Sequence, residues 1–155
     1  MATILVTAKN HPRTRRLNRI AYFLEGASQS FKAGHVVVLS AGKVVKGATD
    51  PAAATVLGIA AEDASGVTDR KVGVFVGDET AEFIGNVQNT GALALANVGA
   101  SYGLVLDATY DVFRVDLADT TNLQVKVVEL VDEVGDINGT VVFKFVNAAR
   151  TPYAS

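Results

Sequence analysis

From Phe31 onward the chain alternates short apolar runs with clusters of Gly, Asp and Asn. That rhythm predicts many short β-strands in a barrel or sandwich. Val36-Val37-Val38-Leu39 and Val44-Val45 flank Ser40-Ala41-Gly42-Lys43, where Gly42 supplies the positive φ of a tight hairpin. Asp50 to Ala54 reads as a turn or one helical turn with Pro51 near its start, leading into the apolar run Val56 to Ala61. A further strand is predicted over Val72 to Val76, and a short helix over Ala92 to Ala100.

Alternation is clearest later in the chain. Ala81, Phe83 and Val87 alternate with Glu82, Ile84 and Asn86, predicting a strand with one buried face and one only partly so. Phe113, Val115 and Leu117 alternate with Arg114 and Asp116, and Val141, Phe143 and Phe145 alternate around Lys144, as half-buried antiparallel strands do. Between them Leu123, Val125 and Val127 share one phase, which flips at Val128 and Leu130. A bulge or burial on both faces would produce that flip. Asn138-Gly139 signals a hairpin before the strand that opens near Thr140. The tail over 147–155 reads as an extended end.

The first 24 residues lack the strand and turn rhythm after Ala8. The pattern therefore predicts an extended N-terminal arm over 1–24, ordered by a partner, and a single, mainly β body over 25–155.

Charge sharpens this division. Lys9, Arg13, Arg15, Arg16 and Arg19 are five of the chain's 14 cations and precede the first acid, Glu25, so the remainder carries nine cations against 16 acids. A basic arm on an acidic body suits nucleic acid, a membrane surface or an acidic protein neighbour. Nucleic acid fits least, because Tyr22 and Phe23 form no stacking series and the body is acidic.

The 155 residues suffice for one domain with a real core. They include no Cys and no Trp, so disulfides, thiolate metal sites and a Cys nucleophile are excluded together. With 49% hydrophobic and only 19% charged residues, part of the apolar surface is expected to lie between subunits. The positive charges follow the apolar start rather than preceding it, so no cleaved leader is expected. Apolar runs such as Val56 to Ala61 fall far short of the ~20 residues that cross a bilayer.

Candidate chemistry is sparse. His11 and His35 are the only histidines, and no Gly-x-Ser-x-Gly elbow presents a serine to them. His35 reads as a polar residue opening a strand. The acid pairs Glu62-Asp63, Asp78-Glu79 and Asp132-Glu133 sit in turn-like sequence, where solvated carboxylates are the default. Gly42-Lys43 has Val37 where a phosphate loop needs its first glycine. Val134 and Phe145 occupy the positions at which a calcium loop through Asp136 and Asn138 needs its first and last acidic ligands. No catalytic, cofactor or metal site is expected, and the chain is not expected to be an enzyme.

Three early segments, Phe31 to Val38, the hairpin Leu39 to Lys46, and Val56 to Asp63, resemble in order and spacing the opening of the capsid decoration (cement) proteins of tailed bacteriophages. Val98 to Leu104 and Val134 to Val141 are similar to later segments of that family. His35 stands where the family often has an acid or a small residue. The resemblance implies a β-barrel or β-tulip-like body forming a homotrimer on the exterior of a mature capsid, in the virion. It implies that the arm residues Lys9, Arg13, Arg15, Arg16 and Arg19 clamp adjacent major capsid protein subunits without a cofactor, nucleic acid or membrane. The rival reading is a carbohydrate- or receptor-binding β module of a viral fibre or cell-surface protein, with Tyr102, Tyr110 and Tyr153 as its aromatics.

Overall fold

The computed structural model describes residues 19–78, 80–88 and 91–146. The first five strands are β1 (Ile20–Leu24), β2 (Val36–Ser40), β3 (Lys43–Lys46), β4 (Val56–Ala60) and β5 (Lys71–Val76). The next five are β6 (Phe83–Asn86), β7 (Ser101–Asp107), β8 (Val112–Asp116), β9 (Val125–Leu130) and β10 (Thr140–Phe145). The runs are rich in Val and Phe, whose branched or flat side chains fit a pleated, half-buried surface. The body is mainly β, as its sequence pattern predicts.

The strands form two five-stranded sheets, ordered β1-β5-β4-β2-β3 and β6-β10-β9-β7-β8. Counted from the start of each half, both orders read first, fifth, fourth, second, third. All strand pairs within the sheets are antiparallel. Each sheet then curls toward a barrel through one parallel bridge between its first and third strands, Glu25 to Val44 and Val87 to Val115.

The halves correspond bond by bond. Gly26 N–H donates to Val44 O and Gln88 N–H to Val115 O, both at 2.9 Å. Gly34 N–H reaches Ala60 O at 2.9 Å, and Gly99 N–H reaches Val127 O at 2.8 Å; both glycines have positive φ. The body is one fold built twice.

The units are not joined symmetrically. The first barrel encloses Phe31, Val37, Val44, Leu57, Val72 and Val74. Its outer face offers Val36, Val56 and Ile59 to a larger core that includes Phe83, Phe113, Phe143 and Phe145 of the second. The register puts Ser101, Lys126 and Lys144 where the first barrel has Val36, Ile59 and Phe75. The second barrel's matching face is therefore polar where the first barrel's is apolar.

Polar bonds fix the junction. Leu106 N–H donates to Thr49 O at 2.8 Å. Asn122 Nδ2 reaches Asp50 Oδ1 at 2.8 Å and Pro51 O at 3.0 Å. Buried Gln124 bridges Leu104 N–H and Pro51 O.

The β2–β3 hairpin closes through Ala41 and Gly42, both at positive φ, the two-residue turn its sequence predicts. The phase flip after Val127 is a bulge: Phe143 faces Val127 while Val142 faces Glu129, leaving Val128 as the extra residue. One helical turn does follow Pro51, a 3-10 turn over Ala53–Thr55.

Other expectations change. The boundary placed after residue 24 falls earlier, since Ile20–Leu24 pairs along its whole length with β5; only Ala21 and Phe23 point inward there, too short a signal to read alone. The helix expected over Ala92 to Ala100 is a single 3-10 turn at Leu95–Asn97. β6 is buried on both faces, not on one alone. Asn138 has positive φ, but it ends a longer loop rather than a two-residue turn.

Candidate functional site

Of the five arm cations, Lys9, Arg13, Arg15 and Arg16 lie outside the described residues, as do Tyr153 and the tail over 147–155. Arg19 is exposed, and its carbonyl accepts from Val76 N–H at 3.1 Å, so the basic segment joins the body at the end of β5. β1 then turns Ala21 and Phe23 toward the first core and leaves Ile20, Tyr22 and Leu24 exposed. An apolar stripe thus follows directly on the basic run.

A second apolar surface forms at one end of the second barrel, called the cap below. The β6–β7 and β9–β10 loops are stitched together there by Leu93 N–H to Asp136 O at 2.9 Å, Gly135 N–H to Leu93 O at 2.7 Å, and Asn138 N–H to Gly91 O at 3.2 Å. Leu93 is buried beneath them. Asn97 holds the β6–β7 loop down, accepting from Ala94 N–H and donating to the Tyr102 hydroxyl at 2.8 Å. Around these bonds Leu95, Val98, Val134 and Ile137 stay exposed, Leu95 at 75%. The β9–β10 loop carries Asp132, Glu133 and Asp136, Glu129 lies just before it near the end of β9, and 91–100 and 127–139 hold no Lys, Arg or His. Leu95 and Val98 look helical and Val134 and Ile137 look like turn residues; only the cross-loop bonds, which sequence does not display, make them one surface.

His35 stands immediately before β2, at the opening of the strand as expected, and is buried there. It is 1% exposed and faces Phe113 edge-on at 6.0 Å. Its Nδ1 accepts from Lys32 N–H at 2.9 Å, which makes Nε2 the donor to the Asp111 carbonyl, 2.8 Å away. Lys46 Nζ reaches Asp111 Oδ1 at 3.1 Å. Although burial acts to raise the Asp111 pKa, the hydrogen bond and charge of Lys46 and the contact with His35 hold it below the usual range. This cluster pins the β7–β8 turn to the first barrel.

Glu25 is buried and accepts from the Ser65 hydroxyl at 2.6 Å and from the Ser65 and Gly66 N–H groups. Burial opposes its ionisation, but those hydrogen bonds and the Arg70 charge outweigh it and lower its pKa. The acid pairs also organise loops. Asp63 accepts from Ala33 N–H, Asp78 from Thr80 and Ala81, Glu62 from Gly73, and Asp132 from Thr140. Glu133 is exposed, and Glu79 lies outside the described residues.

Arg114, expected on a solvent face, is 1% exposed. Its Nε donates to Asp107 Oδ2 at 2.9 Å, Nη1 to Asn138 Oδ1, and its guanidinium lies over the exposed Tyr110 ring at 5.8 Å. Arg114 lines an open cleft of about 460 Å³ with Gln88, Asp107 and Asp116. Of the other tyrosines weighed from sequence, Tyr102 is buried.

No helix among the described residues is long and apolar enough to cross a membrane. No family model, curated protein or solved structure matches the chain.

Proposed function

We propose that the chain is a structural virion protein that coats the exterior of a mature tailed-phage capsid as a homotrimer. In this reading it stabilises the shell by clamping adjacent major capsid protein subunits, with no enzymatic step, cofactor, nucleic acid or membrane involved. The observation that carries it is the continuity between the basic run ending at Arg19 and the exposed stripe Ile20, Tyr22 and Leu24. A cationic segment rooted beside an apolar strip suits an acidic protein surface, where charge steers the encounter and apolar burial retains the partner. Many such contacts on one shell multiply by avidity. The buried polar groups His35, Glu25 and Gln124 serve joints within the body, which suits a load-bearing part.

The sequence resemblance to decoration proteins points the same way. The test is imaging of mature capsids mixed with the protein: density at the threefold and quasi-threefold positions supports the reading, and bare shells refute it.

A second reading, a carbohydrate-binding module, draws on the exposed Tyr110 beside Arg114 and the cleft that Asp107 and Asp116 help to line. A glycan array separates the two.

A further inference from the structure

We propose that the cap of one copy, built by the β6–β7 and β9–β10 loops, is the seat for residues 1–18 of a neighbouring copy. This inference rests on the reading that copies sit side by side on a shell, and it assigns a copy-to-copy link within that clamp. Leu95, Val98, Val134 and Ile137 are the exposed apolar residues of the cap, Asp132, Glu133 and Asp136 share the β9–β10 loop with Val134 and Ile137, and neither loop carries a cation. Residues 1–18 have the complementary chemistry: the apolar block Ile4, Leu5 and Val6 precedes the basic Lys9, Arg13, Arg15 and Arg16, Leu17 follows them, and no acid is present. Aliphatic burial supplies contact energy, and the opposed charges supply encounter rate and register.

Reach admits either copy, and the side-by-side arrangement of the capsid reading is what selects a neighbour. The segment leaves its own body at Arg19, beside Val76. Gly77, the next residue, approaches Phe145 so closely that a Cβ there would lie 2.7 Å from the ring. Phe145 ends β10, whereas the cap stands at the strand's beginning, five residues away at Thr140 and about 17 Å along it. Eighteen extended residues span roughly 60 Å, enough to reach an adjacent cap.

The chain has no cysteine, so trapping is unambiguous. A full-length chain carrying Thr14→Cys is mixed with a differently tagged full-length chain carrying Leu95→Cys. Rapid disulfide capture between the two tags is expected, slowing at high salt, while a control pair with Thr68→Cys in the first barrel stays unlinked. Glu133→Arg in the Leu95→Cys chain is expected to cut capture about three- to tenfold, with recovery when the partner carries Arg16→Glu. Capture no faster than the control, or no recovery in the charge-swapped pair, overturns the proposal. Capture that succeeds while capsids stay bare would instead sink the capsid reading and leave the copy-to-copy contact standing.

Discussion

Asp69 and Asn138 occupy the same place in the two halves of the molecule. Each has positive φ, 67° and 58°, and each accepts from a cation on the third strand of its barrel: Lys43 reaches Asp69 at 2.6 Å, and Arg114 reaches Asn138. Only the second pair is sealed from water on its cationic side, since Arg114 is 1% exposed while the Lys43 and Asp69 side chains are 38% and 56% exposed.

The two sites should therefore respond differently to mutation. Asn138→Val removes an acceptor from a buried guanidinium and puts a β-branched residue at positive φ. A loss of about 2–4 kcal/mol is expected. Asp69→Asn keeps the backbone preference, removes only a screened surface pair, and is expected to change stability by less than about 1 kcal/mol. Urea denaturation of both variants checks the contrast.

His35 makes its second bond to the carbonyl of Asp111, not solely to its side chain. His35→Leu leaves Lys32 N–H and Asp111 C=O without that partner and is expected to cost about 3 kcal/mol. Asp111→Asn preserves the carbonyl and the tolerance for φ of 53° and is expected to cost under about 1 kcal/mol. Equal losses in thermal denaturation would show that the side-chain contact dominates.

Two glycines separate close backbone approach from close side-chain approach. A Cβ on Gly58 would lie 2.1 Å from the Phe75 carbonyl oxygen, inside the β4–β5 ladder, where nothing can swing away. Gly58→Ala is expected to abolish soluble, folded protein. On Gly103 the nearest atoms, from 2.1 Å, belong to the Asp119 carboxylate, which can yield only by giving up its bonds from Thr121 and Asn122, with the Asn122 carbonyl at 3.0 Å behind it. Gly103→Ala is expected to fold with a loss of about 1–3 kcal/mol. Expression and circular dichroism distinguish the outcomes.

Acid sensitivity follows from Glu25 and Asp111. Both have folded pKa values below their ordinary ones despite burial, through hydrogen bonds and nearby cations. A lowered folded pKa gives stability that is complete above the unfolded value and lost as pH falls through the folded one. Denaturation midpoints should therefore fall as pH drops below the ordinary carboxylate range. Glu25→Gln should be less stable at neutral pH and show a flatter acid limb. An unchanged limb would contradict the assignment.

The strands were legible because their signals are local. Ala41-Gly42 dictates its turn, and the phase flip after Val127 announced the bulge at Val128. The duplication was not legible, because equivalence lies in hydrogen bonds while side chains diverge: Glu25 matches Val87, and Ile59 matches Lys126. Arg114 looked like a surface residue and the burial of His35 went unread, because burial of a polar side chain depends on partners 24 and 76 positions away. The cap was hidden for the same reason, its halves lying in loops that only the fold brings together.

The central claim is tested most directly by counting copies bound per mature capsid, by cryo-electron microscopy, for the full chain and for a chain lacking residues 1–18. The cut stops before Arg19 so that β1 keeps its pairing with β5. Dense, regular decoration by the full chain and bare shells with the folded truncated chain are the predicted results. Full decoration by the truncated chain, or none by either, would contradict the account.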